Sequence, residues 1–261
     1  MAPTSFKDHF SVVAANYAQY RPRYPRELFD CLASIVPPAA RVWDCACGSG
    51  QATLELAERF AAVVATDASA EQIAEAPPHP RVTWRVAPAE ASGLPNHAVD
   101  LVTVAQALHW LDLSRFYAEV RRVLGADGVL AVWSYGISRA GEEALDREIG
   151  HFYHDVVGPY WPPERRLVEE GYRTIPFPFA EVSAPAFAMR TLWSLPQLLG
   201  YFRSWSAAAR YLAARGHDPV EALEQKLQAP WGDPAREREI VWPLVVRLGR
   251  AGSDRSVGKT G

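Results

Sequence analysis

Between residues 25 and 135 the chain alternates short apolar runs with stretches whose apolar residues recur at helical spacing. No other feature constrains its fold as strongly. "PRELFDCLASI" puts Leu28, Leu32 and Ile35 on one helical face, with Pro25 suited to the first turn, and "VPPAA" ends it. "RVWDCA" reads as a strand, and a turn of small residues leads from it into the helix-like "QATLELAERF". "AAVVATD" is a buried strand, and "SAEQIAEA" a short helix with Ser69 at its N-cap. "RVTWRV" alternates apolar and polar β-formers, and "AVDLVTVAQ" is a further buried strand. Asp112 then caps a helix carrying Leu113, Phe116, Val120 and Leu124; "GADG" turns, and "VLAVWSY" supplies one more strand. Strands apolar on both faces, joined by helix-length crossovers, predict a mostly parallel sheet covered by helices on both faces. The expected fold is an open, doubly wound, Rossmann-like α/β domain, with ligands at the carboxyl ends of the strands.

The second half is less regular. It holds "ALDREIGHFYHDVVG", an aromatic and proline-rich stretch over residues 160–179, and the helix-like "LPQLLGYFRSWSAAARYLAAR". "REIVWPLVVRLGR" returns to strand character, with Pro243 arguing for an edge position or a bulge. A late strand rejoining the sheet predicts one domain over residues 1–250. Its expected parts are an N-terminal segment and helix (1–36), a ligand-binding core (37–136), an inserted cap (140–235) and a final strand (236–250). The polar tail 251–261 is expected to be disordered. Its "GKT" is not a phosphate loop: Ser253 stands where the first glycine belongs, and neither strand nor helix flanks it.

With 261 residues and 49% hydrophobic content the chain can bury a substantial core. A net charge of -3 gives no global reason to expect nucleic-acid or membrane-surface binding. There is no basic-then-apolar leader and no apolar run long enough to span a bilayer, so a soluble, cytoplasmic protein is expected. Three cysteines, two of them Cys45 and Cys47, suggest neither a disulfide framework nor a zinc site. His151 and His154 share a helical face without an evident carboxylate or thiol partner, and no metal is expected.

The turn after the first strand reads "VWDCACGSGQAT". Its small residues Ala46, Gly48 and Gly50 let backbone approach a ligand closely. A dinucleotide fingerprint would need glycine three residues after Gly50, where the chain has Thr53. Asp44 would repel a pyrophosphate but could help hold a cationic amino group, directly or through water. Asp67, ending the next strand, can accept both hydroxyls of a ribose. Together they suit a ligand with a ribose and an ammonium and no phosphates.

"VWDCACGSGQAT", with "VVATDAS", "APAEASGLP" and "VDLVTVAQALHW", resembles the class I S-adenosylmethionine-dependent methyltransferases over roughly residues 37–135. "YAQYRPRYP" and "LLGYFRSWSA" further resemble a methyltransferase type 11-like subgroup that includes trans-aconitate methyltransferase-like proteins. The chain departs from the family at Ala46, where glycine is usual; alanine fits there if its φ is negative. The resemblance implies S-adenosyl-L-methionine as cofactor and S-adenosylhomocysteine as product. It implies that Asp44, Ala46, Gly48 and Gly50 line the methionine portion and that Asp67 binds the ribose. Ala68 and Ser69 cover the adenosine, and Ala89 and Glu90 meet the adenine edge. Ala105 and Gln106 face the methionine backbone or the reacting centre, and Tyr17, Tyr20 and Arg21 belong to an N-terminal lid. Plainer readings stand beside these: a strand-end carboxylate for Asp67, a solvated loop residue for Glu90, and hydrophobic packing for the two tyrosines.

Methyl transfer from a sulfonium is an in-line displacement, so the protein's main task is alignment and exclusion of water. A carboxylate or neutral amine acceptor needs no base; a hydroxyl generally does. His109, directly after the fourth strand, is the candidate base, or else a core histidine beside the packing Trp110. A carboxylic-acid acceptor would need a cationic clamp, for which Arg21 and Arg203 are candidates, or surface residues. The place after the fourth strand reads "AQALHW" and not N-P-P-Y, which favours a small-molecule acceptor over nucleic acid. The aromatics Trp161, Phe177, Phe179, Trp193, Tyr201, Phe202 and Trp205 would line an acceptor pocket or, for most of them, form the cap's own core. The expected activity is methylation of a small molecule, a carboxylic acid foremost. The alternatives are an NAD(P)-dependent oxidoreductase and a non-catalytic cofactor-binding protein of the same fold.

Overall fold

The five strands expected in the first half all form in the computed structural model, which describes residues 22–37 and 39–252. They are β1 (Arg41–Cys45), β2 (Ala62–Asp67), β3 (Val82–Val86), β4 (Val99–Ala105) and β5 (Leu124–Tyr135). The helices between them are α1 (Arg26–Ile35), α2 (Gln51–Arg59), α3 (Ala70–Ala74) and α4 (Leu113–Val123). Pro25 is the N-cap of α1, Ser69 accepts from Gln72 N–H at the start of α3, and Asp112 accepts from Arg115 N–H at the start of α4. Each cap supplies an acceptor or a fixed φ where a helix leaves its first N–H groups unpaired.

With β6 (Ala180–Val182), β7 (Phe187–Trp193) and β8 (Arg238–Arg250), the sheet order is β3-β2-β1-β4-β5-β8-β6, and β7 also pairs with β8. The pairs β1–β2, β2–β3, β1–β4 and β4–β5 are parallel, and β6–β8 is antiparallel. Cys45 lies opposite Thr66 on one side and Val104 on the other, so the turn after β1 emerges between the ends of β2 and β4. The chain runs outward in opposite directions from β1 and β4. That is the switch point at which an open α/β sheet leaves a crevice.

The core explains the registers. Val42, Trp43, Leu101, Val102, Val104 and residues 130–133 are completely buried. Trp43 donates from Nε1 to Thr66 Oγ1 at 2.9 Å, so its one polar atom is satisfied inside the sheet. Trp133 meets Tyr24 and Phe29 edge-on at 5.7 and 6.1 Å. "GADG" is not a separate turn: β5 runs through it. Pairing with β4 jumps from Val99–Leu124 to Leu101–Val129, which absorbs the extra residues as a bulge. Pro243 does not mark an edge either, because β8 lies between β5 and β6; it stands where one compact unit of the chain gives way to the other.

Two compact units are formed. The sheet unit comprises, among the described residues, 24–134, 170–187 and 244–252. The second unit takes residues 22–23, 135–169 and 188–243. The stretch 170–187, expected in the cap, thus packs with the sheet unit. The second unit contains α5 (Glu143–His151), continued by a π-helical turn over Phe152–Val156, then α6 (Arg165–Glu169), α7 (Leu195–Arg203), α8 (Ser206–Arg215) and α9 (Pro219–Trp231). Its core is aromatic. Phe152, Tyr201, Phe202, Trp205, Trp193 and Trp242 are buried against one another, and Trp242 Nε1 donates to Tyr201 Oη at 3.0 Å. No helix among the described residues is long and apolar enough to cross a membrane.

Candidate active site

The turn after β1 is built from left-handed backbone. Ala46, Gly48 and Gly50 have φ of 54, 56 and 97°. At Gly50 a Cβ would stand 2.3 Å from Cη2 of Trp84, so the φ and the indole both demand glycine. At Gly48 a Cβ would come within 3.3 Å of Gln72 Oε1. Ala46 does not take the negative φ that would suit it. An L-residue in that region costs about 1–2 kcal/mol, and the chain carries that strain where its relatives by resemblance have glycine. Cys47 N–H donates to Thr66 O and Gly50 N–H to Cys47 O, both at 3.0 Å, which pins the turn to β2 before α2 begins.

Two carboxylates flank the turn. Asp44 is completely buried; Oδ2 accepts from Thr53 Oγ1 at 2.6 Å and Oδ1 from Thr103 Oγ1 at 2.7 Å. Burial raises its pKa to about 6, against the two hydroxyl donors that lower it. Thr53, which broke the dinucleotide fingerprint, therefore has a task of its own. Asp67, half-buried, accepts from Gly48 N–H at 2.8 Å and from Ser69 N–H at 2.9 Å, one on each oxygen. A carboxylate oxygen has two lone pairs, so each keeps one for a ligand hydroxyl. Ala68 is exposed, and Ser69 half-buried, beside it. Neither lysine nor arginine occurs from Val42 to Thr53, and nothing in that stretch would neutralise a phosphate.

The loop after β3 holds Ala89, buried, and Glu90, half-buried, whose Oε1 accepts from Asp112 N–H at 3.0 Å. Glu119 anchors this loop. It accepts from Ser92 N–H at 2.8 Å and Ser92 Oγ at 2.5 Å, and Arg122 beside it holds its carboxyl down at about 2.

Beyond β4, Ala105 is followed by Gln106 at φ 57°, whose N–H donates to Trp133 O at 2.8 Å. That left-handed residue diverts the chain into a 3-10 turn, Leu108–Trp110. Leu108 is buried and His109 half-buried, with His109 Nδ1 2.8 Å from Tyr172 Oη. Asp44, Ala46, Gly48, Gly50, Asp67, Ala68, Ser69, Ala89, Glu90, Ala105, Gln106 and His109 all belong to the sheet unit. Arg203 lies in the second unit, with Nε 2.6 Å from Asp218 Oδ2 and a terminal nitrogen 3.7 Å from Glu224; its charge is matched by these carboxylates. Tyr17, Tyr20 and Arg21 lie outside the described residues. The second unit also contains a pocket of about 750 Å³ lined by Tyr153, His154, Trp161, Pro162 and Arg165. There Arg165 donates from Nε to Tyr153 Oη at 2.6 Å and stacks on Trp161 at 4.8 Å, and Trp161 Nε1 is buried without a partner.

The structure adds residues that sequence reading missed: Thr53 and Thr103 on Asp44, Gln72 and Trp84 against the glycines, Glu119 under the loop after β3, and Tyr172 on His109. Only Thr53 was visible as an anomaly. Among the described residues no group of three His, Cys, Asp or Glu side chains could hold a metal.

A cation-free glycine turn at the switch point of the sheet, with a carboxylate one strand over, suits S-adenosylmethionine, and the protein is an S-adenosylmethionine-dependent methyltransferase. The chain belongs to the methyltransferase family: it is 33% identical over 228 residues to a Dictyostelium discoideum methyltransferase, spanning 86% of this chain and 87% of the relative. Residues 43–132 match the type 11 methyltransferase domain model. The solved structure of a type II methyltransferase from Anaeromyxobacter dehalogenans superposes with a TM-score of 0.85 at 45% identity, covering 89% of this chain and 99% of that one. Trans-aconitate 2-methyltransferase of Azoarcus is 36% identical over 121 residues, 44% of this chain and 47% of the relative. S-adenosylmethionine is the cofactor that this family implies, and the turn and its carboxylates fit it.

Proposed function

We propose that the protein methylates an oxygen of a small organic molecule, with His109 as the base that readies a hydroxyl acceptor. The observation that carries this reading is the imidazole just past the end of β4, held by a buried tyrosine. S-adenosylmethionine supplies a methyl group already activated on a positively charged sulfur. Asp67 holds the ribose with its remaining lone pairs, Ala68 and Ser69 cover the adenosine, and Ala89 and Glu90 meet the adenine. Ala46, Gly48 and Gly50 let their backbone line the methionine portion, with Ala105 and Gln106 on its other side. Asp44, fully buried, acts on the ammonium by its charge and through Thr53 and Thr103. His109 would take the acceptor's hydroxyl proton, and bound S-adenosylmethionine would supply the methyl group by losing its C–S bond and leaving as S-adenosylhomocysteine.

A carboxylic-acid acceptor is the second reading. One observation favours it: the similarity to trans-aconitate 2-methyltransferase. Calorimetric titration with S-adenosylmethionine, followed by a labelled-methyl screen of phenols, alcohols and carboxylic acids with native and His109→Gln protein, tests both. A hydroxyl product lost in His109→Gln supports the base. A methyl ester formed equally well by both proteins overturns the first reading in favour of the second.

A further inference from the structure

Trp161 is followed by Pro162 and Pro163, whose rings fix two consecutive φ angles and stiffen one wall of the pocket in the second unit. Arg165 N–H donates to Pro162 O at 2.9 Å, so the chain turns back as α6 begins and lays the Arg165 side chain over the indole it has just left. The guanidinium stands 4.8 Å over the Trp161 ring and 5.5 Å over that of Tyr153, and its Nε donates to Tyr153 Oη at 2.6 Å. Tyr153 is buried on the π-helical turn, and burial pushes its phenol up to about 12. The phenol therefore stays neutral and leaves the charge of Arg165 uncancelled. Arg59, Arg122, Arg203, Arg238 and Arg247 each lie 2.6–2.8 Å from a carboxylate oxygen. Half-buried Arg165 has no carboxylate partner among the described residues. A cation drawn partly out of water is stabilised by an anion, and this one faces a pocket.

We propose that the pocket, which lies wholly within the second unit, binds an aromatic carboxylic acid as its monoanion, with Arg165 gripping the carboxylate. Its volume of about 750 Å³ falls in the range of roughly 300–1,000 Å³ that small ligands occupy. The charge of the lining narrows the ligand. Glu164 and Glu169 stand there with Arg165 and Arg166, so a dianion such as a phosphate monoester would meet two carboxylates. A single carboxylate matches the one guanidinium that lacks a partner. The ring of the ligand follows from Trp161, Pro162, Pro163 and Leu167, which offer flat apolar surface. Trp161 Nε1 is buried, so the indole presents carbon and not its N–H to the pocket. Because the fork is already tied to Tyr153 and stacked on two rings, little rotamer freedom is lost when the acid binds. The site is defined by its own residues and does not rest on His109 as base.

The test is calorimetric titration of the full chain with benzoate and 1-naphthoate. The comparison ligands are 1-naphthamide, which keeps the rings and loses the charge, and phenyl phosphate, the dianion. Both carboxylates should saturate the protein. The amide and the phosphate should each bind about tenfold or more weakly than the matching acid, as for the loss of a charge-assisted hydrogen bond. Arg165→Gln should weaken 1-naphthoate by about tenfold or more while S-adenosylmethionine binds as before. Arg165→Lys, which keeps the charge without the fork, should fall between the two. The proposal is overturned if neither carboxylate saturates, if the amide or the phosphate matches its acid, or if Arg165→Gln leaves naphthoate affinity unchanged. Should Arg165→Gln fail to fold, the Trp161 indole N–H resonance, assigned with Trp161→Phe, decides in the native protein: it should move on adding 1-naphthoate, and a signal that stays put overturns the placement. Labelled S-adenosylmethionine then separates two sources of such an acid. Transfer of the labelled methyl to a carboxylate oxygen, with the C–S bond broken and S-adenosylhomocysteine released, makes the bound acid an acceptor. Saturable binding without transfer makes it a ligand other than the acceptor, and either result supports the site.

Discussion

The turn leaving β1 and the chain leaving β4 stand side by side at the carboxyl ends of two neighbouring strands, yet they are made by opposite means. The first uses residues with almost no side chain, and its chemistry is backbone plus two carboxylates held by nearby hydroxyls and N–H groups. The second depends on one imidazole whose partner comes from 63 residues further along. Both rely on left-handed backbone, at Ala46, Gly48 and Gly50 in the one and at Gln106 in the other. A backbone turn can be assembled from local geometry, whereas a side-chain pair such as His109 and Tyr172 draws on a distant loop.

The sharpest way to break the first region is Gly50→Ala, which forces a methyl into the Trp84 ring at a φ of 97°. A loss of roughly 3 kcal/mol or more is expected in urea denaturation, from strain and overpacking together. A loss under 1 kcal/mol would show that the Trp84 contact yields easily. The buried carboxylate gives the next effect. Asp44 titrates at about 6 in the folded protein against an ordinary 3.8, so the native state retains a proton that the unfolded chain has released. Its contribution is therefore full below pH 3.8 and is lost as pH rises through 6, about 3 kcal/mol over the window. Denaturation midpoints of Asp44→Asn should lack that slope. Asp67→Ala comes third: removing a polar partner should weaken S-adenosylmethionine binding by about 1–3 kcal/mol in calorimetry. An unchanged affinity would sink the ribose role. Smallest is Ala46→Gly, which relieves a left-handed alanine and should raise stability by about 1 kcal/mol, read as a higher Tm.

The contrast also explains what could be read in advance. The first-half strands and helices were legible because burial on both faces and helical spacing are written in consecutive residues. The behaviour of "GADG" differed, and Leu124 opens β5 instead of ending α4; both depend on how β5 registers against β4. Pro243 suggested an edge or a bulge; β8 stands between β5 and β6 in the strand order, with the proline exposed. Arg203 looked like a clamp in sequence and carries two carboxylate partners in the fold.

By itself the sequence determined the parallel sheet, the switch point with its glycine turn, and the cofactor class, because each depends on residues within a turn or two of one another. Only the tertiary structure decided that Ala46 is strained, that Thr53 and Thr103 serve Asp44, that Trp84 dictates Gly50, and that Tyr172 meets His109. These are contacts between elements, and they arise when burial brings distant side chains together and each polar atom taken out of water must find a partner.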